Sequence, residues 1–254
     1  MANVRLVTPF ELDAAAPALE RLAAPGGWIN RATVEGSTRI ARLVPINRAL
    51  ADAVRATGAR GDRPVSIAGD CCAVIGAIGG LQRAGLAPRL LWFDAHGDFN
   101  TTETSPSGFL GGMPLAMLVG RGDQTLMAGV GVVPLDEADC IVCDGRDLDP
   151  LERLALMGSQ VRLARTLGDV RVMRFDDRPL HVHFDVDVLG LDDAPAVAFP
   201  VPGGPSLAAL EQCAACLASS GAIASVSMTT WAFERDTDGR TAAACLRALA
   251  AFVS

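Results

Sequence analysis

The stretch Trp92-Phe93-Asp94-Ala95-His96-Gly97-Asp98-Phe99-Asn100 follows an apolar run and sets two carboxylates and one imidazole at alternate positions. Residues 90 to 93 have the composition of a buried strand, and alternate residues of a strand point the same way. We therefore expect Asp94, His96 and Asp98 to project together where that strand ends. All three side chains are able to bind a metal ion.

A second acidic cluster lies in the strand-like segment His181-Val182-His183-Phe184-Asp185-Val186-Asp187. The alternation again predicts that Asp185 and Asp187 share one face of the strand. Carboxylates at the ends of buried strands repel one another and are costly to desolvate unless a cation lies between them. Either cluster alone is compatible with capping or surface groups, whereas the two together indicate a metal site.

The chain has 254 residues and 50% hydrophobic content, enough for one large α/β domain or two small ones. No linker, repeat or charge block divides it, so we expect a single domain over residues 1 to 254. The one loop-like stretch, residues 100 to 112, directly follows the first acidic cluster. Long loops inside compact domains are usually functional.

The net charge of −7 and the pI near 5.0 bear on the class of partner. Nucleic acids and anionic membranes favour a basic face, so we expect neither as a partner. A small cationic substrate suits this charge balance better. The chain contains no lysine, which excludes lysine Schiff-base chemistry and a P-loop lysine.

The first residues lack the charged and long apolar regions of a signal peptide, and no apolar run reaches the length of a membrane span. We therefore expect a cytoplasmic protein. Seven cysteines without regular spacing suit reduced thiols better than a disulfide framework. The pairs Cys140-x-x-Cys143 and Cys213-x-x-Cys216 are too far apart for an ordinary zinc ribbon, which favours packed thiols.

Strand-like and helical runs alternate along the chain, which predicts a parallel sheet with helices on both faces. Ligands of such sheets gather at the carboxyl ends of the strands. Both acidic clusters fall at such ends, as does Ala68-Gly69-Asp70-Cys71-Cys72. The predicted strands are residues 4–7, 65–68, 90–93, 138–142, 171–175, 181–187 and 223–228, and the predicted helices are 11–23, 39–57, 73–84, 150–156, 207–219 and 241–253.

The sequence resembles the ureohydrolase family of arginase, agmatinase and formiminoglutamase from about residue 60 to residue 241. The family's D-A-H-x-D motif stands here as residues 94–98, and its S-x-D-x-D motif stands as residues 183–187 with His183 in place of the serine. The resemblance implies an α/β fold, an arginase-like three-layer αβα arrangement with a mostly parallel central sheet. It also implies one catalytic domain and a manganese-dependent hydrolase of guanidino groups.

The resemblance further implies a pair of Mn²⁺ ions, with other divalent metals also accommodated. Asp94 and Asp185 would each bridge the two metals. Asp98 would complete the ligands of the first metal, and His96 and Asp187 those of the second. Asp98 would also hold the attacking hydroxide and relay its proton, so Asp98 and Asp94 are the expected catalytic residues.

One departure from the family lies in its G-G-D-H-S motif, which appears here as Ala68-Gly69-Asp70-Cys71-Cys72. Cys71 thus replaces the histidine that would bind the first metal. Coordination deprotonates a thiol, so we expect Cys71 to remain a ligand and to make the site more tolerant of zinc, iron or cobalt. The alternative is that Cys71 is a small buried hydrophobe and that one metal is weak or missing.

A second departure concerns proton transfer, because Gly111 stands where arginases carry a histidine that is thought to shuttle protons. The chain's remaining histidines are His181 and His183, which precede Asp185 on its strand. His183 either reaches the site behind the metal ligands or is an ordinary core or surface histidine. His181 is expected to be an ordinary core or surface histidine.

Several positions match arginase residues that hold the substrate. The candidates for the amino acid end of an arginine-like substrate are Asn100, Ser105, Ser107, Asp149, Asp147 and Glu152. The acidic residues among them are also ordinary stabilisers at the start of a proline-initiated helix. Thr230 occupies the place of a family glutamate that faces the guanidinium, and it retains hydrogen bonding without the charge.

These departures resemble the branch of the family that hydrolyses Nω-hydroxy-L-arginine to L-ornithine and hydroxyurea in D-cycloserine biosynthesis, an antibiotic pathway. A hydroxyl group lowers the basicity of the guanidine and makes its carbon easier to attack, so a guanidinium-binding carboxylate is less necessary. The alternatives are hydrolysis of arginine, agmatine or a guanidino acid, and an inactive relative that binds metal and arginine-like ligands. The sequence leaves the oligomeric state open.

Overall fold

The computed structural model describes residues 1–175 and 177–254. Within these ranges, eight parallel strands form a central sheet with the order β4-β1-β5-β10-β9-β6-β7-β8. Strands β2 and β3 form a separate antiparallel hairpin. The predicted α/β class with a mostly parallel central sheet is therefore confirmed.

The strands are β1 (Asn3–Thr8), β2 (Phe10–Glu11), β3 (Ala14–Ala15), β4 (Trp28–Ile29), β5 (Arg63–Ala68), β6 (Arg89–Asp94), β7 (Cys140–Asp144), β8 (Arg162–Ala164), β9 (Leu180–Asp185) and β10 (Ile223–Thr229). The α-helices are α1 (Arg39–Ala59), α2 (Ala73–Arg83), α3 (Pro114–Leu118), α4 (Thr125–Val130), α5 (Pro150–Met157), α6 (Leu167–Val172), α7 (Leu207–Ser219) and α8 (Arg240–Phe252). No helix among the described residues combines the length and the apolar character needed to cross a bilayer.

The sheet separates two hydrophobic cores, one on each face. Alternation along β6 places Leu91 and Phe93 in the core covered by α7 and α8, and Leu90 and Trp92 in the core covered by α1 and α2. Strands buried on both faces read as continuous apolar runs. This explains why β6 was recognisable from composition alone.

Close packing of α1 against α2 fixes the chain just beyond Cys71. A Cβ atom added to Gly80 would lie 2.5 Å from Cβ of Val54, and one added to Gly76 would lie 2.7 Å from the carbonyl oxygen of Asn47. The Asn47 side chain also accepts a hydrogen bond of 2.8 Å from the Gly76 amide. Glycine at these positions therefore allows the two helices to approach closely.

The predicted helix over residues 11–23 is wrong. The structure has the β2–β3 hairpin there, followed by a 3₁₀ helix over Pro17–Leu22. The Leu12 amide donates a 2.6 Å hydrogen bond to Oδ2 of buried Asp70, and Leu12 has a positive φ of 50°. This tertiary hydrogen bond ties the segment to the loop after β5 and prevents a continuous helix.

The predicted strand over residues 171–175 is also wrong, because α6 extends over Leu167–Val172. The Thr166 hydroxyl accepts from the Asp169 amide, and the Asp169 carboxylate accepts from the Thr166 amide. This reciprocal capping box starts a helix. The strand of this region is β8 instead, which pairs with β7.

The prediction of reduced thiols is confirmed, since all seven cysteines, each within the described part of the chain, are free. Cys140 and Cys143 pack into the cores on opposite faces of the sheet, while Cys213 is buried and Cys216 exposed. The prediction of packed thiols in the two pairs is therefore correct for Cys140, Cys143 and Cys213 and wrong for Cys216.

Candidate metal centre

The predicted ligands converge because neighbouring strands end at one edge of the sheet. Asp94 is the last residue of β6, and Asp185 is the last residue of the adjacent β9. Cys71 follows β5, and Thr230 follows β10, which lies between β5 and β9. Four separate chain segments thus meet at the carboxyl ends of the parallel strands, as expected.

The predicted strand alternation is wrong for the remaining ligands, since turns bring them in. His96 and Asp98 lie beyond β6, and Asp187 lies in a 3₁₀ turn over Val186–Val188. Oδ1 of Asp94 accepts from the His96 amide at 2.7 Å, and Oδ1 of Asp185 accepts from the Asp187 amide at 2.9 Å. Each strand-end carboxylate therefore folds the next two residues back toward itself.

In the part of the chain that the structure describes, one group of mutually close ligand atoms comprises Cys71, Asp94, His183 and Asp185. One atom from each lies within 4.8 Å of the others. Sγ of Cys71 is 3.0 Å from Oδ2 of Asp185. Burial, and then the charge of Asp185, raise the pKa of the Cys71 thiol, so ionisation there requires a nearby cation.

A second group comprises Asp94, His96 and Asp187, again with ligand atoms within 4.8 Å of one another. Nδ1 of His96 lies 3.3 Å from Oδ1 of Asp94 and 3.1 Å from Oδ2 of Asp187. Burial alone would lower the pKa of His96, but the hydrogen bonds to these carboxylates raise it to about 12. The protein thus places a positive charge between the two carboxylates, where a metal ion would serve equally.

Asp98 supplies the clearest sign that a cation fits here. Its Oδ2 atom is buried and has no hydrogen-bond partner among the described residues. Burial, and then the charges of Asp94 and Asp185, raise the pKa of this carboxyl well above its usual range. Unpaired buried carboxylate oxygens are rare and costly, so the residues fit a divalent metal that neutralises them.

A cavity of about 370 Å³ opens above this cluster. His96, Asp98 and Asp185 line its floor, while Asp94 lies beneath with its Oδ2 held by the Trp92 indole at 2.9 Å. All the predicted substrate-binding residues line the cavity: Asn100, Ser105, Ser107, Asp147, Asp149, Glu152 and Thr230.

The acidic residues of the cavity wall differ in how far their carboxylates are free to bind a substrate. Both carboxylate oxygens of Glu152 are already occupied, accepting from the Phe99 amide at 2.9 Å and the Asp149 amide at 3.1 Å. This favours the structural alternative for Glu152, and burial raises its pKa to about 7. Oδ2 of Asp149 accepts from the Asn100 amide group at 3.0 Å, and the Asp147 side chain is 65% exposed.

The serines shape the loop above the cavity. The Ser105 hydroxyl accepts from the Gly108 amide at 3.0 Å, and the Ser107 hydroxyl accepts from the Phe109 amide at 3.2 Å. The two hydroxyl oxygens are also hydrogen-bonded to each other at 3.4 Å, so one hydroxyl donates to the other and the second proton is free to donate to a bound carboxylate.

Thr230 faces the metal cluster. Its hydroxyl hydrogen-bonds to Oδ1 of Asp185, and its backbone adopts a left-handed φ of 66°. Asp98 is left-handed as well, with φ of 48°. A left-handed backbone is uncommon for a β-branched residue, so surrounding contacts must hold Thr230 in place.

Sequence reasoning missed an aromatic wall made by Phe109 and Phe199, which both line the cavity. Their ring centroids are 5.2 Å apart, and Phe199 is 47% exposed. Nothing in their local sequence distinguishes these residues from ordinary core phenylalanines, so only the fold reveals the wall.

Arg146 was also missed, although it holds the turn that carries Asp187. Its Nη2 donates to the carbonyl oxygens of Asp187 and Val201, both at 2.9 Å, and its Nη1 donates to Asp144 and to the Val188 carbonyl. Nε donates to a further carbonyl, at 3.1 Å. All five guanidinium donors are used, and the arginine next to the predicted acidic segment was the available signal.

Thiol, imidazole and carboxylate groups at the strand ends of a parallel αβα sheet define a candidate metal centre, and comparisons with known proteins identify its family. A model described as the arginase family matches residues 28–253. Arginase of Bacillus caldovelox is 35% identical over 196 residues, which cover 71% of this chain and 66% of that protein. Arginase of Bacillus subtilis is 32% identical and is covered to 64%.

The chain belongs to the arginase family of ureohydrolases. The crystal structure of Bacillus subtilis arginase has the same fold, with a TM-score of 0.82, 24% identity, and coverage of 100% of this chain and 99% of that one. The sequence match spans just under two thirds of the length of the two curated relatives. These relatives are arginases and do not support assignment to the hydroxyarginine-hydrolysing branch.

Proposed function

We propose that this protein is a two-metal amidinohydrolase that cleaves the guanidino group of an arginine-like amino acid. The main support is the arrangement of two groups of possible metal ligands that share Asp94 and lie beneath a cavity of about 370 Å³. A divalent metal pair, when bound, would neutralise the carboxylates and lower the pKa of a water molecule. Cys71, Asp94, Asp98 and Asp185 would hold one metal, and His96 and Asp187, with the shared carboxylates, the other.

Asp98 is the residue best placed to move a proton. It lines the cavity, and its Oδ2 atom is buried without a partner among the described residues. Its carboxyl group would accept a proton from the attacking water and donate it to the departing amine. Water adds to the guanidino carbon, the carbon–nitrogen bond to the side chain breaks, and the products are an amine and urea or hydroxyurea.

The amino acid end of the substrate would bind at the other side of the cavity. The Asn100–Asp149 hydrogen bond presents a carboxylate for an α-ammonium group. The Ser105–Ser107 pair retains one donor for an α-carboxylate. The amino acid end of a small guanidino substrate therefore matches this side of the cavity.

The arginase relatives favour L-arginine as this substrate. A specific observation favours Nω-hydroxy-L-arginine as a second candidate. Thr230 engages Asp185 and provides no carboxylate for a guanidinium, while the Phe109 ring fills the space beside Gly111. A less basic hydroxyguanidine suffers less from both features.

A panel of guanidino compounds tests the proposal. We expect the metal-loaded protein to release ornithine and urea from L-arginine, or ornithine and hydroxyurea from Nω-hydroxy-L-arginine. Agmatine, which gives putrescine, tests the need for the α-carboxylate. Asp98→Asn is the matched control, because it keeps the shape of the side chain and removes its capacity to carry the proton. Absence of turnover with two metals bound would leave a binding protein and exclude the hydrolase.

A further inference from the structure

His183 and Cys71 belong to the same group of candidate metal ligands. The sequence has a cysteine where the family motif has histidine, and a histidine where the second motif has serine. The structure brings both exchanged positions into one group, with ligand atoms of Cys71, His183, Asp94 and Asp185 within 4.8 Å of one another. Position 71 therefore lacks the imidazole of the family motif, and His183 on β9 brings an imidazole into the same group of ligand atoms.

The orientation of His183 leaves one ring nitrogen available. Nδ1 lies 2.9 Å from the Ser227 hydroxyl, whereas Nε2 reaches the Thr229 hydroxyl only at 3.5 Å. The ring packs against Trp92 with centroids 4.0 Å apart. Metal-binding histidines characteristically have their other nitrogen held by a hydrogen bond in this way.

The His183 side chain is fully buried. A neutral imidazole has a lone pair on one ring nitrogen, and that nitrogen can bind a metal ion.

We propose that His183 supplies the nitrogen ligand that position 71 has lost, so that one metal is held by Cys71, His183, Asp94 and Asp185. This inference rests on the metal centre of the proposed function and changes its ligand set. His183 takes the ligand position given there to Asp98, and the Asp98 carboxylate keeps its role in carrying the proton. One sulfur, one nitrogen and two oxygens form a four-ligand set suited to a tetrahedral ion. The second metal keeps the oxygen-rich group of Asp94, His96 and Asp187.

The two metal positions therefore differ in chemistry. Thiolate and imidazole donors favour zinc or cobalt over manganese, while a carboxylate-rich group accommodates manganese. We expect the Cys71–His183 position to bind Zn²⁺ preferentially.

His181 provides a matched control. It precedes His183 by two residues on β9, is equally buried, and hydrogen-bonds to the hydroxyls of Ser225 and Ser227. It belongs to neither group of ligand atoms found among the described residues. Replacement of either histidine by serine removes a buried imidazole, but only one replacement removes the proposed ligand.

Zinc affinity of the full-length metal-free protein, measured by competition with a chelator, gives the first test. We expect His183→Ser to weaken the tighter zinc site by more than about 100-fold, which exceeds the roughly 10–100-fold cost of losing a group behind a ligand. His181→Ser should bind zinc like the wild type. Equal effects of the two substitutions, or no effect of His183→Ser, would overturn the proposal.

X-ray absorption by the wild-type protein with one equivalent of Zn²⁺ gives a test that needs no variant to fold. We expect both sulfur and imidazole in the ligand set of that zinc. His183→Ser should keep the sulfur and lose the imidazole, and Cys71→Ser should do the reverse. Zinc with sulfur but no imidazole, or no zinc bound at all, would refute the ligand set.

A double variant gives a further test. Cys71→His combined with His183→Ser restores the residues of the family motifs at both positions. We expect this double variant to bind metal more tightly than His183→Ser alone. All these measurements are made without substrate. If the wild type shows the proposed zinc ligands but hydrolyses no guanidino compound, the hydrolase proposal fails and the ligand inference stands.

Discussion

A Cβ atom placed on Gly111 would lie 2.3 Å from Cε1 and 2.6 Å from Cζ of Phe109. The Phe109 ring thus occupies the space that any larger side chain at position 111 would enter. From the family resemblance, Gly111 is the expected counterpart of the proton-shuttling histidine of arginases, and on that expectation an apolar ring takes the place of a titratable group beside the cavity. A larger side chain at position 111 requires the Phe109 ring to move.

Introducing the histidine alone should therefore fail. We predict that Gly111→His destabilises the protein and adds no activity toward L-arginine, because the imidazole collides with the ring. Combined with Phe109→Ala, the same change should raise kcat/KM for L-arginine toward the roughly 10²-fold lower limit of general acid–base catalysis. Steady-state kinetics of both variants, with Phe109→Ala alone as control, check this. A gain from the single substitution would contradict the packing argument.

Substrate selectivity follows from Thr230. A charge-assisted hydrogen bond contributes about 1.5 to 3 kcal/mol, and a threonine engaged with Asp185 cannot give one to a guanidinium. If Nω-hydroxy-L-arginine is the substrate, its kcat/KM should exceed that of L-arginine by at least roughly a hundredfold. Equal values for the two compounds, measured by ornithine release, would identify an arginase-like specificity instead.

Metal removal should lower stability, because the carboxylates of Asp94, Asp98 and Asp185 repel one another without a cation. Saturation at about 100 times Kd adds about 2.7 kcal/mol per site. For a chain of this size each kcal/mol corresponds to about 2–4 °C in Tm. We predict that chelation lowers Tm by roughly 5–10 °C for each metal site that it empties and that added Mn²⁺ or Zn²⁺ restores it. An unchanged Tm in differential scanning calorimetry would argue against a metal between these groups.

Arg146 should stabilise the turn that carries Asp187. Its removal takes the donors from three part-buried carbonyl oxygens, those of Asp187, Val188 and Val201. A fully buried acceptor left without a donor costs about 1–3 kcal/mol. We predict that Arg146→Ala lowers the free energy of unfolding by at least about 2 kcal/mol and weakens metal binding at the position shared by His96 and Asp187. Arg146→Lys should recover the charge and only part of the stability, since lysine lacks the five-donor fork. Urea unfolding and metal analysis measure the two effects separately.

Glu152 predicts a pH dependence of the metal-free protein. Burial raises its pKa from 4.5 to about 7. A folded-state pKa above the unfolded value stabilises the protein fully below pH 4.5, and this contribution is lost as pH rises to about 7. The loss amounts to at most about 3 kcal/mol. The free energy of unfolding of the wild type should therefore fall over this range relative to Glu152→Gln, and parallel pH profiles would refute the assignment.

Much of the fold was predictable because the strongest sequence signals agree with the tertiary structure. The predicted start of α1 at Arg39 is correct, since Thr38 accepts a capping hydrogen bond from the Ala41 amide. The apolar strand before Asp94 was recognisable because it is buried on both faces. The segment from residue 11 failed because a hydrogen bond to Asp70, remote in sequence, decides its conformation.

The candidate site was predictable in composition and less so in geometry. The sequence motifs identify Asp94 and Asp185, but turns position His96 and Asp187 where strand alternation was expected. His183 looked like either a core residue or a group behind the ligands. Only the fold shows that His183 belongs to the ligand group and that its Nδ1 atom is held by Ser227, which leaves Nε2 for the group.

The left-handed backbone at Asp98 and Thr230 has a consequence for directed evolution. Such conformations at non-glycine residues cost on the order of 1–3 kcal/mol, and glycine or asparagine would relieve that cost. A library screened only for heat resistance would therefore enrich glycine or asparagine at these two positions. Each such substitution would remove a group that faces the proposed metal site, so selection for heat resistance alone would lower the proposed activity.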